Sequence, residues 1–130
     1  MDAKLLNGLS LAYMGDAIYE LYIREFILKM GYNKVNELHK HVVKYTSGEA
    51  QAFIIHSMLE NNVLSEDELS IFKRGRNSHI KTSRKNISLS DYLDATGFEA
   101  LLGYLYLDNQ KERLEELINY SIEKRSGNND

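Results

Sequence analysis

Leu11-Ala12-Tyr13-Met14-Gly15-Asp16-Ala17-Ile18-Tyr19-Glu20-Leu21-Tyr22-Ile23-Arg24 is an apolar helical stretch with a carboxylate at its centre. Leu11, Met14, Ile18, Leu21 and Tyr22 recur at three- and four-residue intervals, the spacing that gathers side chains on one face of a helix. Asp16 lies beside that stripe, where a charge requires an ion partner or a metal. Gly15 is a second anomaly. Glycine inside a helix costs about 1 kcal/mol relative to alanine and is kept where another backbone or a ligand comes close.

Working outward from this stretch, the chain has no proline, sparse glycine and no run of alternating apolar and polar residues, so no strand is expected. The pattern predicts an all-α fold, a compact bundle of about six or more helices, with residues 1–130 as a single domain. The first helix is expected over about 9–30, with Asn7 or Ser10 at its cap and Gly31 past its end. A second follows Asn33, burying Val35, Leu38, Val42 and Val43. A third starts at Ser47, faces Ala50, Phe53, Ile54 and Leu59 inward, and ends near Asn61-Asn62. Ser65-Glu66-Asp67-Glu68 has the form of a capping box and opens a fourth, which reaches the vicinity of Lys73. From Gly75 to Ile87 the periodicity lapses, which predicts the longest loop. Ser88 and Asp91 open a fifth helix to about Leu107. Leu114, Leu117, Ile118 and Ile122 form the inner face of a sixth over 111–124, and 126–130 should fray.

The chain has 130 residues, enough to hold a core without staples. It has no cysteine, which removes disulfides, thiol catalysis and thiolate metal sites and suits a reducing, cytoplasmic setting. Neither a signal peptide nor a run of about 18 apolar residues is present, so no membrane is expected. The net charge of −3 conceals a strong asymmetry. Lys73, Arg74, Arg76, Lys81, Arg84 and Lys85 fall together with no acidic residue among them, leaving 10 basic against 19 acidic residues elsewhere. A basic loop on an acidic domain favours phosphate contact, although charge runs are more commonly solvated faces.

The fifth helix carries a counterpart to Asp16. In Ala95-Thr96-Gly97-Phe98-Glu99-Ala100-Leu101-Leu102-Gly103, Glu99 is set among Phe98, Leu101, Leu102 and Leu105, which outline a buried face, and Gly97 and Gly103 again suggest close packing. Each carboxylate could pair with a lysine or arginine. If instead the two helices pack at their glycines, Asp16 and Glu99 could converge on one Mg²⁺, a hard ion that takes oxygen ligands and keeps several waters. The four histidines offer no metal site in this reading: His39 and His41 point apart, His56 is alone, and His79 belongs to the basic loop. Tyr13, Tyr19, Tyr22, Tyr104 and Tyr106 suit core or dimer packing.

Leu-Ala-Tyr-Met-Gly-Asp-Ala at 11–17 resembles the signature helix of the ribonuclease III family, and Gly-Phe-Glu-Ala-Leu-Leu-Gly at 97–103 resembles its second acidic motif. With Leu-His-Lys at 38–40, Lys-Arg-Gly-Arg-Asn at 73–77 and no double-stranded RNA-binding domain, the chain is more narrowly similar to the Mini-ribonuclease III branch. Two departures from full-length members fit that branch: Ala12 and Thr96 stand where those members carry carboxylates.

The resemblance implies a ribonuclease III-type domain acting as a symmetric homodimer. It implies a divalent-metal-dependent endoribonuclease that cleaves double-stranded RNA and matures the ends of the large-subunit (23S) ribosomal RNA precursor in ribosome biogenesis, with a ribosomal protein as conceivable helper. Asp16 and Glu99 are then both catalytic residues and metal ligands, for Mg²⁺ with Mn²⁺ as substitute. Glu20, one turn after Asp16, either orients water beside them or pairs with Arg24. Asp91 and Asp94 complement the helix dipole, with Asp94 a lesser candidate for assisting the metal. Lys73, Arg74, Arg76, Asn77, Lys81, Arg84 and Lys85 would contact the RNA, by shape more than by sequence, with steep salt dependence. The small residues Ala12, Gly15 and Ala17 would let helices meet across a two-fold axis. The competing reading is a catalytically inactive double-stranded RNA-binding module in ribosome assembly, favoured by the two missing carboxylates and opposed by the two retained ones.

Overall fold

The computed structural model describes residues 1–78 and 87–127. It is all-α. A 3-10 turn (Ala3–Leu5) precedes α1 (Gly8–Lys29), α2 (Val35–Thr46), α3 (Gly48–Glu60), α4 (Glu66–Arg76), α5 (Leu89–Leu107) and α6 (Lys111–Arg125). Among the described residues there is no strand, and no helix is long and apolar enough to cross a membrane.

Local chemistry sets the helix ends. Asn7 caps α1 by accepting from the Ser10 amide at 2.8 Å, and Ser47, Ser65 and Ser88 do the same for α3, α4 and α5. At α4 the box is complete, because Glu68 also accepts from the Ser65 amide at 2.9 Å. Past α1, Gly31 takes φ +103°, a left-handed conformation that ends the helix cheaply only at glycine. Helices α3 and α5 end on asparagines in the same region, Asn62 and Asn109. There the amides of Val63 and Gln110 reach back to the carbonyls of Met58 and Leu105, closing Schellman motifs.

Helix α5 is the axis of the molecule, packed against α1, α3 and α4 along its length and against α6 near its end. From Asp94 to Leu105 every residue is buried except Glu99. A helix apolar on all sides belongs in a core, and the remaining helices wrap it. From α1 come Leu11, Ala12, Gly15, Ile18, Tyr19, Ile23 and Ile27, so Gly15 lies on the buried stripe itself. The Tyr19 ring meets Phe98 edge-on at 5.1 Å, and its hydroxyl donates to the Tyr45 carbonyl at 3.0 Å. Leu114, Leu117 and Ile118 close the α6 side.

Four residues expected inside are exposed: Leu21 (62%), Val35 (81%), Val43 (39%) and Phe53 (48%). The buried stripe of α1 runs through Gly15 and Ile18 to Ile23 and leaves Leu21 aside. Val35 is the first residue of α2, beyond the reach of its neighbours. Phe53 lies under the Arg125 guanidinium at 5.3 Å.

The loop expected from Gly75 begins later. Helix α4 runs to Arg76 because Gly75 packs on α5: a Cβ there would sit 2.5 Å from the Ala100 Cβ and 3.0 Å from the Gly97 Cα. What reads locally as a helix breaker is a crossing point. The expectation for His79, Lys81, Arg84 and Lys85 lies outside the described residues, as does most of the expected fraying beyond Gly127.

Candidate active site

The α1–α5 crossing determines what Asp16 and Glu99 can do. A Cβ on Gly15 would lie 1.7 Å from the Glu99 carbonyl oxygen, and one on Gly103 would lie 1.9 Å from that of Leu11. No side chain fits between these backbones, so the helices touch at the residues that flank the two carboxylates. Asp16 is exposed and Glu99 half-buried. Among the described residues nothing pairs with Asp16. Glu99 accepts at Oε2 from the side-chain amide of Gln51, at 3.2 Å.

Ala12 and Thr96, the two positions at which the resemblance to full-length members would lead one to expect carboxylates, are both buried in the fold. Ala12 is 6% exposed, and the Thr96 hydroxyl is turned into its own helix, donating to the Tyr92 carbonyl at 3.0 Å. Neither supplies a ligand. The carboxylates of Asp16 and Glu99 are hard oxygen donors, of the kind a Mg²⁺-class ion takes while keeping part of its hydration.

The other expected residues fall into two groups. Glu20 accepts from Arg24 Nε at 2.7 Å, the surface pair of the two alternatives weighed for it. Lys73 and Asn77 are exposed on and just past α4. Arg74 donates from Nη1 to the carbonyls of Lys4 (2.6 Å) and Leu6 (2.9 Å), tying the 3-10 turn to α4. Arg76 is half-buried against Asp94 and Ser90.

Asp94 differs from its expected part as a helix-end charge. It is buried and bonded on one oxygen by Arg76 and on the other by His56 Nε2, at 2.7 Å. His56 is thus not alone. With Asp91 these side chains form the described group of three that could hold a metal ion, their ligand atoms within 4.8 Å of one another. The Arg76 guanidinium already supplies the positive charge there, so the group holds as an ion-paired network joining α3, α4 and α5. Of the small residues expected at a dimer contact, Gly15 is taken up by α5, Ala12 is buried within the protomer, and Ala17 is exposed. Of the five motif-helix tyrosines, Tyr19 and Tyr104 are buried, whereas Tyr13 and Tyr106 face out.

Sequence reasoning missed Gln51. Its only local signal is a polar residue between two small apolar ones, Ala50 and Ala52.

Residues 9–110 match the model of the ribonuclease III domain. The chain is 52% identical over 123 residues to the Mini-ribonuclease 3 of Enterococcus faecalis, covering 95% of this chain and 93% of the relative. It is 46% identical over 127 residues to that of Streptococcus pneumoniae, covering 98% and 99%. The crystal structure of a Fusobacterium nucleatum protein superposes with a TM-score of 0.84 at 36% identity, covering 95% of this chain and 97% of that one.

Proposed function

The chain belongs to the ribonuclease III family, within it to the Mini-ribonuclease 3 group, and from that premise we propose that this endoribonuclease cleaves double-stranded RNA at Asp16 and Glu99 with a divalent cation. The observation that carries the reading is the glycine crossing, at which an exposed aspartate on α1 and a half-buried glutamate on α5 lie at one junction of two helices.

Asp16 and Glu99 would hold the cation, Mg²⁺ or Mn²⁺ in its place. When bound, the cation supplies Lewis acidity, making a water more acidic and offsetting charge that builds on the phosphate oxygens. The chain's own part is to position. Asp16, open to solvent, meets the incoming phosphodiester, while Glu99 is fixed by Gln51. The phosphodiester is cut by in-line attack of water, with the 3′ oxygen as leaving group. Lys73 on α4 and Asn77 just past it, with the basic residues at 81–85, would contact RNA phosphates, and recognition would follow the shape of an A-form duplex.

Two further parts of the reading concern assembly and substrate. A symmetric homodimer would cut both strands of a duplex. The exposed apolar residues Leu21, Leu28 and Val35 support it by leaving α1 and α2 with surface to cover. Likeness to Mini-ribonuclease 3 supports a cytoplasmic role on the 23S ribosomal RNA precursor, with a ribosomal protein as possible helper.

The test is incubation with a long RNA duplex and Mg²⁺, with and without chelator. Cleavage that the chelator stops supports the reading, and duplex binding without cleavage would turn it to the inactive RNA-binding module. A 23S precursor should be cut at defined terminal positions in preference to an unrelated duplex.

A further inference from the structure

Gln51 lies in the first turn of α3, between the buried Ala50 and Ala52, and is itself 3% exposed. Its amide nitrogen donates to the Thr46 carbonyl at 3.0 Å and to Glu99 Oε2 at 3.2 Å. Both amide hydrogens are thereby committed. Turning the amide over would set its oxygen against a carbonyl and a carboxylate, so the two acceptors fix its orientation. In that orientation Oε1 is buried without a hydrogen-bond partner, the one such side-chain atom among the described residues.

A buried acceptor left unpaired is unfavourable and calls for a donor. The same side-chain amide holds Glu99 through its nitrogen, and to Glu99 the reading above gives a divalent cation. Such ions keep several of their waters, and each of those waters is a hydrogen-bond donor. We propose that Gln51 is a positioning residue of the cation site: its amide N–H holds one carboxylate oxygen of Glu99, and its carbonyl oxygen accepts from a water in the cation's hydration shell. This rests on the assignment of Asp16 and Glu99 as cation ligands. It also gives the site a polar group from a third helix, α3, where Ala12 and Thr96 offer no carboxylate from α1 and α5. Losing a residue that orients a ligand in this way typically costs about 10- to 100-fold in metal affinity or activity.

The test is Mn²⁺ binding to the protein without RNA, by titration calorimetry, for the parent, Gln51→Met, Gln51→Ala and Glu99→Gln. Melting temperatures confirm that each variant is folded. Methionine keeps the volume and removes both polar groups, whereas alanine removes them in a helix that already carries alanines on either side. Each Gln51 variant should bind Mn²⁺ about tenfold more weakly. The Mg²⁺ concentration for half-maximal cleavage should rise by a similar factor, with the rate restored at saturating Mg²⁺. If both variants bind Mn²⁺ like the parent while Glu99→Gln loses binding, the role of Gln51 is overturned and the assignment of Glu99 stands. If Glu99→Gln also binds like the parent, the cation site itself is misplaced and the inference falls with it.

Discussion

Gly15 of α1 and Gly103 of α5 meet backbone to backbone: a Cβ on either would come within 2.9 Å of the other's amide nitrogen. The opposing atoms are main chain and cannot rotate away. Gly103→Ala should therefore force the helices apart, at a cost of about 2 kcal/mol, typical of overpacking. The melting temperature should drop by roughly 5 °C or more. Because Asp16 and Glu99 flank the contact, cleavage by the variant should fall about tenfold or more even where circular dichroism shows it folded, as expected when reacting groups are misplaced. Parent-like stability would show that the crossing tolerates a methyl group.

Glu68 gives the fold an acid-sensitive joint. Burial pushes its carboxyl up, but hydrogen bonds from Arg113 and the Ser65 amide outweigh that and hold it below the ordinary range. A group with a depressed folded value contributes stability above its unfolded value, near ~4.3, and loses it as pH falls through the folded one. Urea denaturation should show stability declining with acid below that point, with a shallower decline in Glu68→Gln. At neutral pH this variant should lose about 2 kcal/mol, since the Arg113 charge keeps fewer partners.

Lys73 and Arg76 are near neighbours on α4 with different roles. Arg76→Ala strips the buried Asp94 of its guanidinium and should destabilise the protein by about 2–3 kcal/mol. Lys73→Ala should leave stability within about 0.5 kcal/mol. It should instead lower the slope of log affinity against log salt by about 1, as for one lost phosphate contact. Thermal melts and duplex binding at several salt concentrations separate the two.

Much of this architecture was legible from local chemistry. Serine caps, the Ser65–Glu68 box, Gly31 and the Asn61-Asn62 pair set helix ends within a residue or two because their causes lie within one turn of chain. The glycines at 15 and 103 were readable as close contacts, though not as contacts with each other. The rest depended on pairings between distant elements. Gly75 reads as a breaker until α5 is laid against it, and His56 reads as isolated until α5 brings up Asp94. Gln51 joins residues 48 positions apart, which no window of local sequence contains. The same holds for Arg74 and Arg76, whose basic cluster looks uniform in sequence although both arginines already bond within the fold.

The central claim, that Asp16 and Glu99 form one cation-dependent cutting site, is tested most directly by a double-mutant cycle. Single-turnover cleavage of an RNA duplex in Mg²⁺ would be compared for the parent, Asp16→Asn, Glu99→Gln and the double variant. Residues acting as a unit are strongly non-additive, so the double variant should cut no more slowly than the slower single one, each single being at least about a hundredfold impaired. Parent-like cleavage by Asp16→Asn, or losses that multiply independently, would contradict the account.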